Sequence, residues 1–378
     1  MHYVPRALRL RFAGFGPLAF LAAVLWGPGC ALPVTNRQVP PAGATRDPKP
    51  GWITVKAVGD IMLGSAYPDE SDLPPHGGAR LLRDATPVLR SADLTFGNLE
   101  GPLCDNGAST KSGPRSYAFR VPTRYGRHLQ AAGFDVLSLA NNHASDFGAA
   151  GRKSTRAVLD KLGIGHAGGD KNDADVRVVN YVRVTTLAFA TNAVSLNLND
   201  VAGARAAVAK AARDADIVIV SFHGGGEGAG YQHVARGPET YLGESRGDLR
   251  RFARAVVDAG ADLVLGHGPH VVRGMEVYKG RLIAYSLGNF ATYGKFGLSG
   301  PTGLSLILEA RVSSESGAFL GGRIHPFRQV KPGGPKRDPS GAVLPVIARL
   351  SKQDFGPAAV RVGKNGTLAA PPALGSQR

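Results

Sequence analysis

The sequence has few cysteines, no long apolar run after its N-terminal region and no strong internal repeat. The two cysteines, Cys30 and Cys104, are too few for a disulfide scaffold or a cysteine-rich zinc site. The 51 glycines follow no G-X-Y period, which excludes a collagen-like chain. The lack of a repeat argues against solenoids and propellers. With 43% hydrophobic residues, a chain of 378 residues can bury a sizeable core, in one large domain or two small ones.

Acidic residues are also scarce. The chain has 29 Asp and Glu residues against 45 Lys and Arg residues, which gives a formal net charge of +16 at pH 7. This excess favours an anionic partner, such as a phosphate, a polyacid or an acidic surface. A generally basic, solvated surface is an equally good interpretation of the same charge.

The first thirty-one residues have the order of a secretory signal. Three arginines between residues 6 and 11 precede the apolar run 13–26, and small residues follow it. The run is shorter than the roughly 20 residues that span a bilayer. We therefore predict an exported protein, with an uncleaved membrane anchor as the alternative. Cys30 stands where a lipoprotein signal carries its lipidated cysteine, and cleavage after Ala31 is the competing interpretation.

Composition divides the remainder of the chain. Residues 32–50 carry five prolines and are predicted to form an extended linker. Residues 51–362 hold the predicted domain, and the Gly-, Ala- and Pro-rich residues 363–378 are predicted to be a flexible tail. The expected location is the cell envelope or periplasm, with a lipid or N-terminal anchor as the membrane link. Export and the lack of a recognised reading motif argue against a nucleic-acid partner.

Short apolar runs alternate with longer amphipathic segments from residue 52 onward. This alternation predicts an α/β fold with much parallel strand pairing. Two later strands, 303–312 and 319–328, have no long helix between them and predict a final hairpin. The other predicted strands include 53–58, 94–97, 136–140, 217–222 and 263–266. The predicted helices cover 79–89, 125–132, 152–162, 201–213 and 248–259.

Polar residues of metal-binding types follow six of the strand-like runs. Ligands bind at the carboxyl ends of strands in open α/β sheets, so these residues predict one convergent site. Carboxylates, amides and imidazoles without a thiolate suit Mn, Fe, Zn or Mg. No G-x-S-x-G turn surrounds Ser221, and no Walker lysine follows Gly224–Gly226, so a serine hydrolase and a P-loop are disfavoured. The strand-end residues are Asp60, Asn98, Glu100, Asn141, Asn142, His143, His223, His267, His270 and Asn289.

Five motifs together resemble one family. They are GDIMLG (59–64), GNLEGPL (97–103), LANNHASDFG (139–148), SFHGGGEG (221–228) and GHGPHVVRGMEVYKGRLIAYSLGNF (266–290). This combination resembles the CapA-type, or poly-gamma-glutamate capsule biosynthesis, proteins of the calcineurin-like metallophosphoesterase superfamily, over roughly residues 52–330. The resemblance implies an α/β/β/α architecture, in which two β-sheets pack face to face with helices outside.

The resemblance also implies roles for His143 and the metal ligands, and position in the sequence suggests roles for Glu227, Arg273 and Asn289. His143 would lie beside the substrate, as proton donor or oxyanion stabiliser. Glu227 would accept a hydrogen bond from a histidine N–H outside the ligand set. Arg273 and Asn289 are candidates for substrate binding, with a surface ion pair and a turn as their alternative roles. The implied ligands of one or two divalent metal ions are Asp60, Glu100, Asn142, His223, His267 and His270.

Three departures from the superfamily pattern leave the number of metal ions open. Met62 replaces the histidine of the usual D-x-H motif, Glu100 replaces the usual aspartate, and Gly268 lies inside the last histidine motif. His270 is therefore a safer ligand than His267. The implied function is metal-dependent phosphoester hydrolysis in an exported protein of capsule or envelope polymer biosynthesis. The alternative is a non-catalytic, metal-containing protein that binds an anionic polymer.

Overall fold

The computed structural model describes residues 51–111 and 117–372. The predicted signal, the lipidation candidate Cys30 and the predicted linker lie outside the described residues. None of the described helices is long and apolar enough to cross a bilayer. The strands are β1 (Trp52–Met62), β2 (Leu94–Leu99), β3 (Val136–Ser138), β4 (Gly165–Ala167), β5 (Asp175–Val179), β6 (Val182–Ala190), β7 (Leu196–Asn197), β8 (Ile217–His223), β9 (Glu239–Tyr241), β10 (Glu244–Gly247), β11 (Leu263–His267), β12 (Met275–Tyr278), β13 (Arg281–Ala284), β14 (Asn289–Thr292), β15 (Leu304–Ser313), β16 (Phe319–Arg328), β17 (Lys336–Arg337), β18 (Arg361–Val362) and β19 (Thr367–Ala369). The α-helices are α1 (Thr86–Leu89), α2 (Gly126–Ala132), α3 (Gly148–Leu162), α4 (Val201–Ala211), α5 (Leu249–Asp258) and α6 (Val343–Phe355).

Two large sheets organise the chain. The larger sheet has the order β18-β19-β16-β15-β1-β2-β3-β4, with β14 pairing with β1 and β17 with β16. The smaller has the order β12-β13-β11-β8-β6-β5, with β7 pairing with β6, and β9 and β10 form a separate hairpin. The run β1 to β4 is parallel, and so is the run β6, β8, β11 and β13. Parallel pairing at the centre of both sheets matches the predicted α/β class.

The two sheets pack face to face around a shared core. Val55 of β1 and Ile219 of β8 belong to one buried cluster, because alternate side chains of a strand point to the same face. The opposite face of the larger sheet packs against α1 to α3, for example through Leu129. The opposite face of the smaller sheet packs against α4 and α5, for example through Phe252. The predicted α/β/β/α sandwich is confirmed.

Several elements differ from the sequence-based prediction. The helix predicted over 79–89 is confined to α1, since Pro87 lacks an N–H and fits only the first turn of a helix. Helix α6 was not predicted, although it places Val343 and Ile347 in the core shared by the sheets. The antiparallel pair of β5 and β6 was also missed.

The C-terminal segment corrects the prediction of a flexible tail over 363–378. Strand β19 pairs with β16 through Leu368 and Gly322. Leu368 is 4% exposed and belongs to the core between the sheets. Burial of this apolar side chain orders the segment, and residues 373–378 lie outside the described part of the chain.

Candidate metal centre

The carboxyl ends of parallel strands bring the predicted ligands to one edge of the sandwich. Asp60 lies opposite Asn98 of β2 and Asn289 of β14. In the smaller sheet, His223 at the end of β8 pairs with His267 at the end of β11. Strands that run in the same direction end at the same edge, so residues far apart in sequence meet there.

Asp60, Glu100 and His270 form the centre of the site. Each offers one ligand atom, and these atoms lie within 4.8 Å of one another. Both carboxylates are 0% exposed. His270 Nδ1 donates a hydrogen bond to Asp60 Oδ2 at 3.0 Å, which leaves His270 Nε2 directed toward Glu100 Oε1 at 3.7 Å. The three side chains are therefore close enough together to bind one cation.

Glu100 is the residue that the surrounding histidines share. Its Oε1 lies 3.7 Å from His270 Nε2, 3.9 Å from His223 Nε2 and 4.0 Å from His143 Nε2. These separations exceed the range of a direct hydrogen bond, which is about 2.7–3.2 Å. They match two ligands of one metal, since bonds of about 2.1 Å separate such ligands by about 3–4 Å.

Buried ligand atoms without partners test whether the site suits a metal. Buried polar atoms are normally hydrogen-bonded, and a concentration of orphaned ones indicates a ligand. Oxygen and imidazole nitrogen are the donor types that Mn, Fe, Zn and Mg accept. The residues therefore fit a divalent ion. Within the described residues, the buried atoms of this site without a hydrogen-bond partner are Glu100 Oε1 and Oε2, Asn142 Oδ1, His223 Nε2 and Asn289 Oδ1.

Asp60 and His270 determine each other's charge. Burial raises the pKa of Asp60, but the hydrogen bond and charge of His270 outweigh burial and lower it to about 2. Burial lowers the pKa of His270, but Glu100 and Asp60 outweigh burial and raise it to about 10. A proton on His270 thus supplies positive charge that the carboxylates require. A divalent ion would supply the same charge.

Burial shifts the two other central groups toward their neutral forms. Burial raises the pKa of Glu100 well above its usual value, and the charges of Asp60 and Glu227 act in the same direction. Burial also lowers the pKa of His223 well below its usual value. A neutral imidazole is the form that coordinates a metal, so His223 is poised to act as a ligand.

Two asparagines orient Asp60 from behind. Asn98 Nδ2 donates to Asp60 Oδ1 at 2.9 Å, and Asn141 Nδ2 donates to Asn98 Oδ1 at 3.2 Å. Asn141 Nδ2 also donates to the carbonyl of Leu99 at 2.8 Å. The sequence placed both asparagines at strand ends without giving them roles. Both lie within two residues of a predicted ligand in the sequence, and this proximity could have indicated that they support the ligands.

His143 is held in one orientation beside Glu100. Its Nδ1 lies 2.8 Å from Asp146 Oδ2, and its ring stacks on Phe119 with centroids 4.1 Å apart. Lys111 Nζ lies 2.9 Å from the same nitrogen and 2.8 Å from Asp146 Oδ1. Asp146 and Lys111 were not predicted. Asp146 follows His143 by three residues inside a recognised motif, whereas nothing in the sequence indicated Lys111.

Glu227, which was predicted to contact a histidine from outside the ligand set, lies next to His270. Its Oε2 is 3.9 Å from His270 Nε2, and its Oε1 accepts a hydrogen bond from Arg246 Nη2. Arg246 is 2% exposed and also donates through Nε to the carbonyl of Gly225 at 3.1 Å. The β9–β10 hairpin, which carries Arg246, therefore positions the glycine-rich loop and Glu227 together.

Asn289 uses its amide nitrogen for backbone contacts and leaves its amide oxygen without a partner within the described residues. Its Nδ2 donates to the carbonyls of His270 and Thr302, each at 3.2 Å, while its Oδ1 has no partner within the described residues. The backbone of His270 has a φ of 58°, an uncommon value for a residue other than glycine. The contact from Asn289 helps to hold that conformation.

Two predicted site residues have their polar atoms engaged elsewhere. Arg273 is 0% exposed, and its Nη1 and Nη2 each donate to a Glu239 carboxylate oxygen at 2.8 Å. This buried pair corrects the prediction that Arg273 binds substrate. His267 Nε2 lies 3.1 Å from the Val58 carbonyl, and its Nδ1 lies 3.4 Å from Ser221 Oγ. Both ring nitrogens of His267 thus have protein contacts in this structure, and its role as a metal ligand stays a prediction.

A family model matches the part of the chain that carries the site. The family model described as bacterial capsule synthesis protein PGA_cap matches residues 54–293. The chain belongs to this family. The match spans the candidate site residues from Asp60 on β1 to Asn289 on β14.

Named relatives agree with the family. Capsule biosynthesis protein CapA of Bacillus anthracis is 33% identical over 258 residues, which cover 63% of this chain and 59% of that protein. PGA biosynthesis protein CapA of Bacillus subtilis (strain 168) is 32% identical over 254 residues, covering 63% of each chain. The chain thus spans about three-fifths of the length of these curated relatives.

Solved structures give a weaker likeness. A putative 5'-nucleotidase from Staphylococcus aureus in complex with alpha-ketoglutarate aligns with a TM-score of 0.43 and 12% identity. The alignment covers 73% of this chain and 54% of that one. The α/β/β/α architecture is therefore assigned from the strand order and the buried core of this chain alone.

Proposed function

We propose that this chain is a metal-dependent phosphoester hydrolase associated with biosynthesis of an anionic capsule or envelope polymer. The observation that carries the proposal is the set of orphaned buried ligand atoms around Glu100. Such atoms are costly to bury unless they bind a cation. A histidine with a fixed ring lies at the same place, and hydrolysis of a phosphoester requires both a cation and a proton donor.

Asp60, Glu100 and His270 would hold the ion, with Asn142 and His223 as further ligands. A bound divalent ion supplies Lewis acidity and neutralises charge on phosphoryl oxygens. His143 presents Nε2 toward Glu100, so it is placed to give a proton to the leaving oxygen of a substrate. The contact of Asp146 with Nδ1 keeps the other ring nitrogen directed at the site.

The polymer association rests on the family and on the names of the relatives. Two of them are named for capsule or PGA biosynthesis, and we extend an anionic polymer or phosphoester substrate to this chain. The net charge of +16 is compatible with such a partner. Residues 1–31 are proposed to direct export, with Cys30 as the candidate for lipidation.

Elemental analysis of the purified full chain tests the metal centre. We expect one or two divalent ions in the wild type and in a His233→Gln control, whose half-exposed imidazole pairs with Asp354. Asp60→Asn should lose the metal, because it removes the charge of a buried ligand. A wild type without metal after growth and reconstitution with Mn, Fe, Zn and Mg contradicts the proposal.

Hydrolysis of a phosphodiester with an alcohol leaving group, which needs a proton as it departs, by the same preparations tests the chemistry. His143→Gln should retain the metal and lose about 100-fold or more in kcat, since proton transfer by a positioned side chain contributes about 10²–10⁴-fold. The second candidate, a non-catalytic polymer-binding protein, is favoured by the net charge alone. It predicts bound metal without turnover, and polymer affinity that falls with salt and is unchanged in His143→Gln.

A further inference from the structure

A second polar cleft lies along β16, with no lining residue in common with the metal centre. Its volume is about 320 Å³. Strand β17 pairs with residues 327–328 of β16, and β19 pairs with residues 322–323. Residues 324–326 line the cleft between these two pairings, with Ile324 N donating to the Gly366 carbonyl at 2.7 Å and the Pro326 carbonyl accepting from Asp338 N at 3.1 Å. Strand β15 separates β16 from β1, the strand that carries Asp60.

Three side chains line the cleft with hydrogen-bond donors. Arg337 is exposed and makes no side-chain hydrogen bond or ion pair with the described residues. Arg323 uses Nη1 for the carbonyl of Asn365 at 3.1 Å, and its other donors have no partner in the described part of the chain. Asn365 uses its Oδ1 to accept from Thr367, which leaves its amide N–H groups available. Two guanidinium groups and an amide thus remain open to a ligand.

The acidic groups beside the cleft are already engaged. The carboxylate of Asp338 accepts hydrogen bonds from Ser340 N at 3.1 Å, Ser340 Oγ at 2.6 Å and Ala342 N at 3.1 Å, just before α6. His325 pairs with Glu309 at 2.8 Å, so that acid is also occupied. Neither carboxylate forms an ion pair with Arg323 or Arg337 within the described residues, so two guanidinium groups face the single carboxylate, Asp338, that lines the cleft.

More cations continue the positive surface beyond the cleft. Arg328 and Lys336 lie exposed at the β17 end, and Lys364 lies exposed at the β19 end. Lys336 Nζ lies 3.5 Å from the partly exposed carboxylate of Asp84, its ion-pair partner within the described residues. Cations that extend past a cleft in both directions suit charges repeated along a chain better than one small anion.

We propose that this cleft binds the oxyanion groups, carboxylate or phosphate, of a linear polyanion. Guanidinium groups bind both kinds of oxyanion through paired N–H donors. The volume is near the lower end of ligand sites, which run from roughly 300 to 1,000 Å³, so it accommodates one unit while neighbouring units meet the flanking cations. Binding at this cleft requires neither bound metal nor turnover, so its test is independent of the test of phosphoester hydrolysis.

Fluorescence anisotropy with labelled poly-L-glutamate and labelled polyphosphate tests the cleft. The full chain is compared with Arg323→Gln/Arg337→Gln at about 150 mM salt, where long-range surface attraction is largely screened. The matched control is Arg213→Gln/Arg251→Gln, which removes the same charge from two exposed arginines near α4 and on α5. We expect the cleft variant to bind at least about tenfold more weakly than the control.

Two further variants locate the binding. Asn365→Asp adds a carboxylate at the rim, and it should weaken binding in the same direction as the arginine variant. His233→Gln, at an exposed imidazole that pairs with Asp354 outside both sites, should bind the polymer as the wild type does. Binding of one polymer alone identifies carboxylate or phosphate as the group recognised.

Three results would overturn the proposal. Equal weakening in the cleft and control variants would assign binding to diffuse charge. Loss of binding in Asp60→Asn would assign it to the metal centre. Absence of binding of both polymers to the wild type would exclude a polyanion site, and thermal unfolding of each variant verifies that the compared chains are folded.

Discussion

Glu100 Oε1 lies 3.9 Å from His223 Nε2, and neither buried atom has a hydrogen-bond partner within the described residues. Glu100 follows β2 of the larger sheet, and His223 ends β8 of the smaller one. Placing both atoms away from water without a partner is costly. A cation between them would remove that cost and connect the ends of the two sheets.

Glu100→Gln should separate the stability of the fold from metal binding. Without metal, the variant should be as stable as the wild type or more stable by about 1–3 kcal/mol, because a costly buried carboxylate is replaced by a neutral group of similar shape. The rise in Tm on adding metal should be lost, since only binding to the folded state raises Tm. Thermal unfolding with chelator and with excess Mn²⁺ measures both effects. A full metal-induced rise in the variant would contradict the assignment of Glu100 as a ligand.

Asp146→Asn should impair catalysis without removing the metal. The side chain keeps an oxygen that can accept from Phe119 N, now at 2.8 Å from Asp146 Oδ2, but it loses the charge that holds His143 Nδ1. We expect kcat to fall by about 10- to 100-fold at unchanged metal content, as for other groups that orient a site residue. Elemental analysis and steady-state kinetics check this. If KM changed while kcat did not, Asp146 would have a substrate-binding role instead.

Arg273 and Glu239 should behave as a buried structural pair. Arg273→Met leaves the Glu239 carboxylate without its partner, so unfolding free energy should fall by about 3–5 kcal/mol. Glu239→Gln should also destabilise. The double variant should lose less than the sum of the single losses, because it removes both charges. Urea unfolding of all four proteins measures the coupling, and purely additive losses would argue against a direct interaction.

His166 should make stability depend on pH. Burial lowers the pKa of His166, but hydrogen bonds and charges of Asp173 and Asp160 outweigh burial and raise it. A raised folded pKa gives stability that is complete below the unfolded pKa of about 6.5 and is lost as pH rises through the folded value. The advantage of wild type over His166→Gln should therefore shrink between pH 6 and pH 9. Urea unfolding of both proteins at pH 6 and pH 9 measures this advantage. An advantage that grows with pH would mean that folding lowers the pKa of His166.

The positions and parallel pairing of the central strands were predictable, because burial on both faces produces continuous apolar runs that end in polar residues. β16 matches its predicted bounds of 319–328. Helix α6 and strand β19, which were not predicted, are stabilised by contacts with strands distant in the sequence. Each buries apolar side chains against these strands. The i, i+4, i+7 spacing of Val343, Ile347 and Leu350 was a local helix signal that the prediction missed, whereas the short segment around Leu368 has no comparable signal.

By itself, the sequence determined the class of fold and the chemistry at the carboxyl edge. Strand periodicity and the residues that follow each strand are local properties, so Asp60, Glu100 and His270 were accessible from the sequence. Only the tertiary structure decided the partners of the charges. Arg273 lies 34 residues from Glu239 in sequence, yet their pairing removes the arginine from solvent and substrate. The energy of a charge depends on burial and on distances between atoms, and neither is determined until the chain has folded.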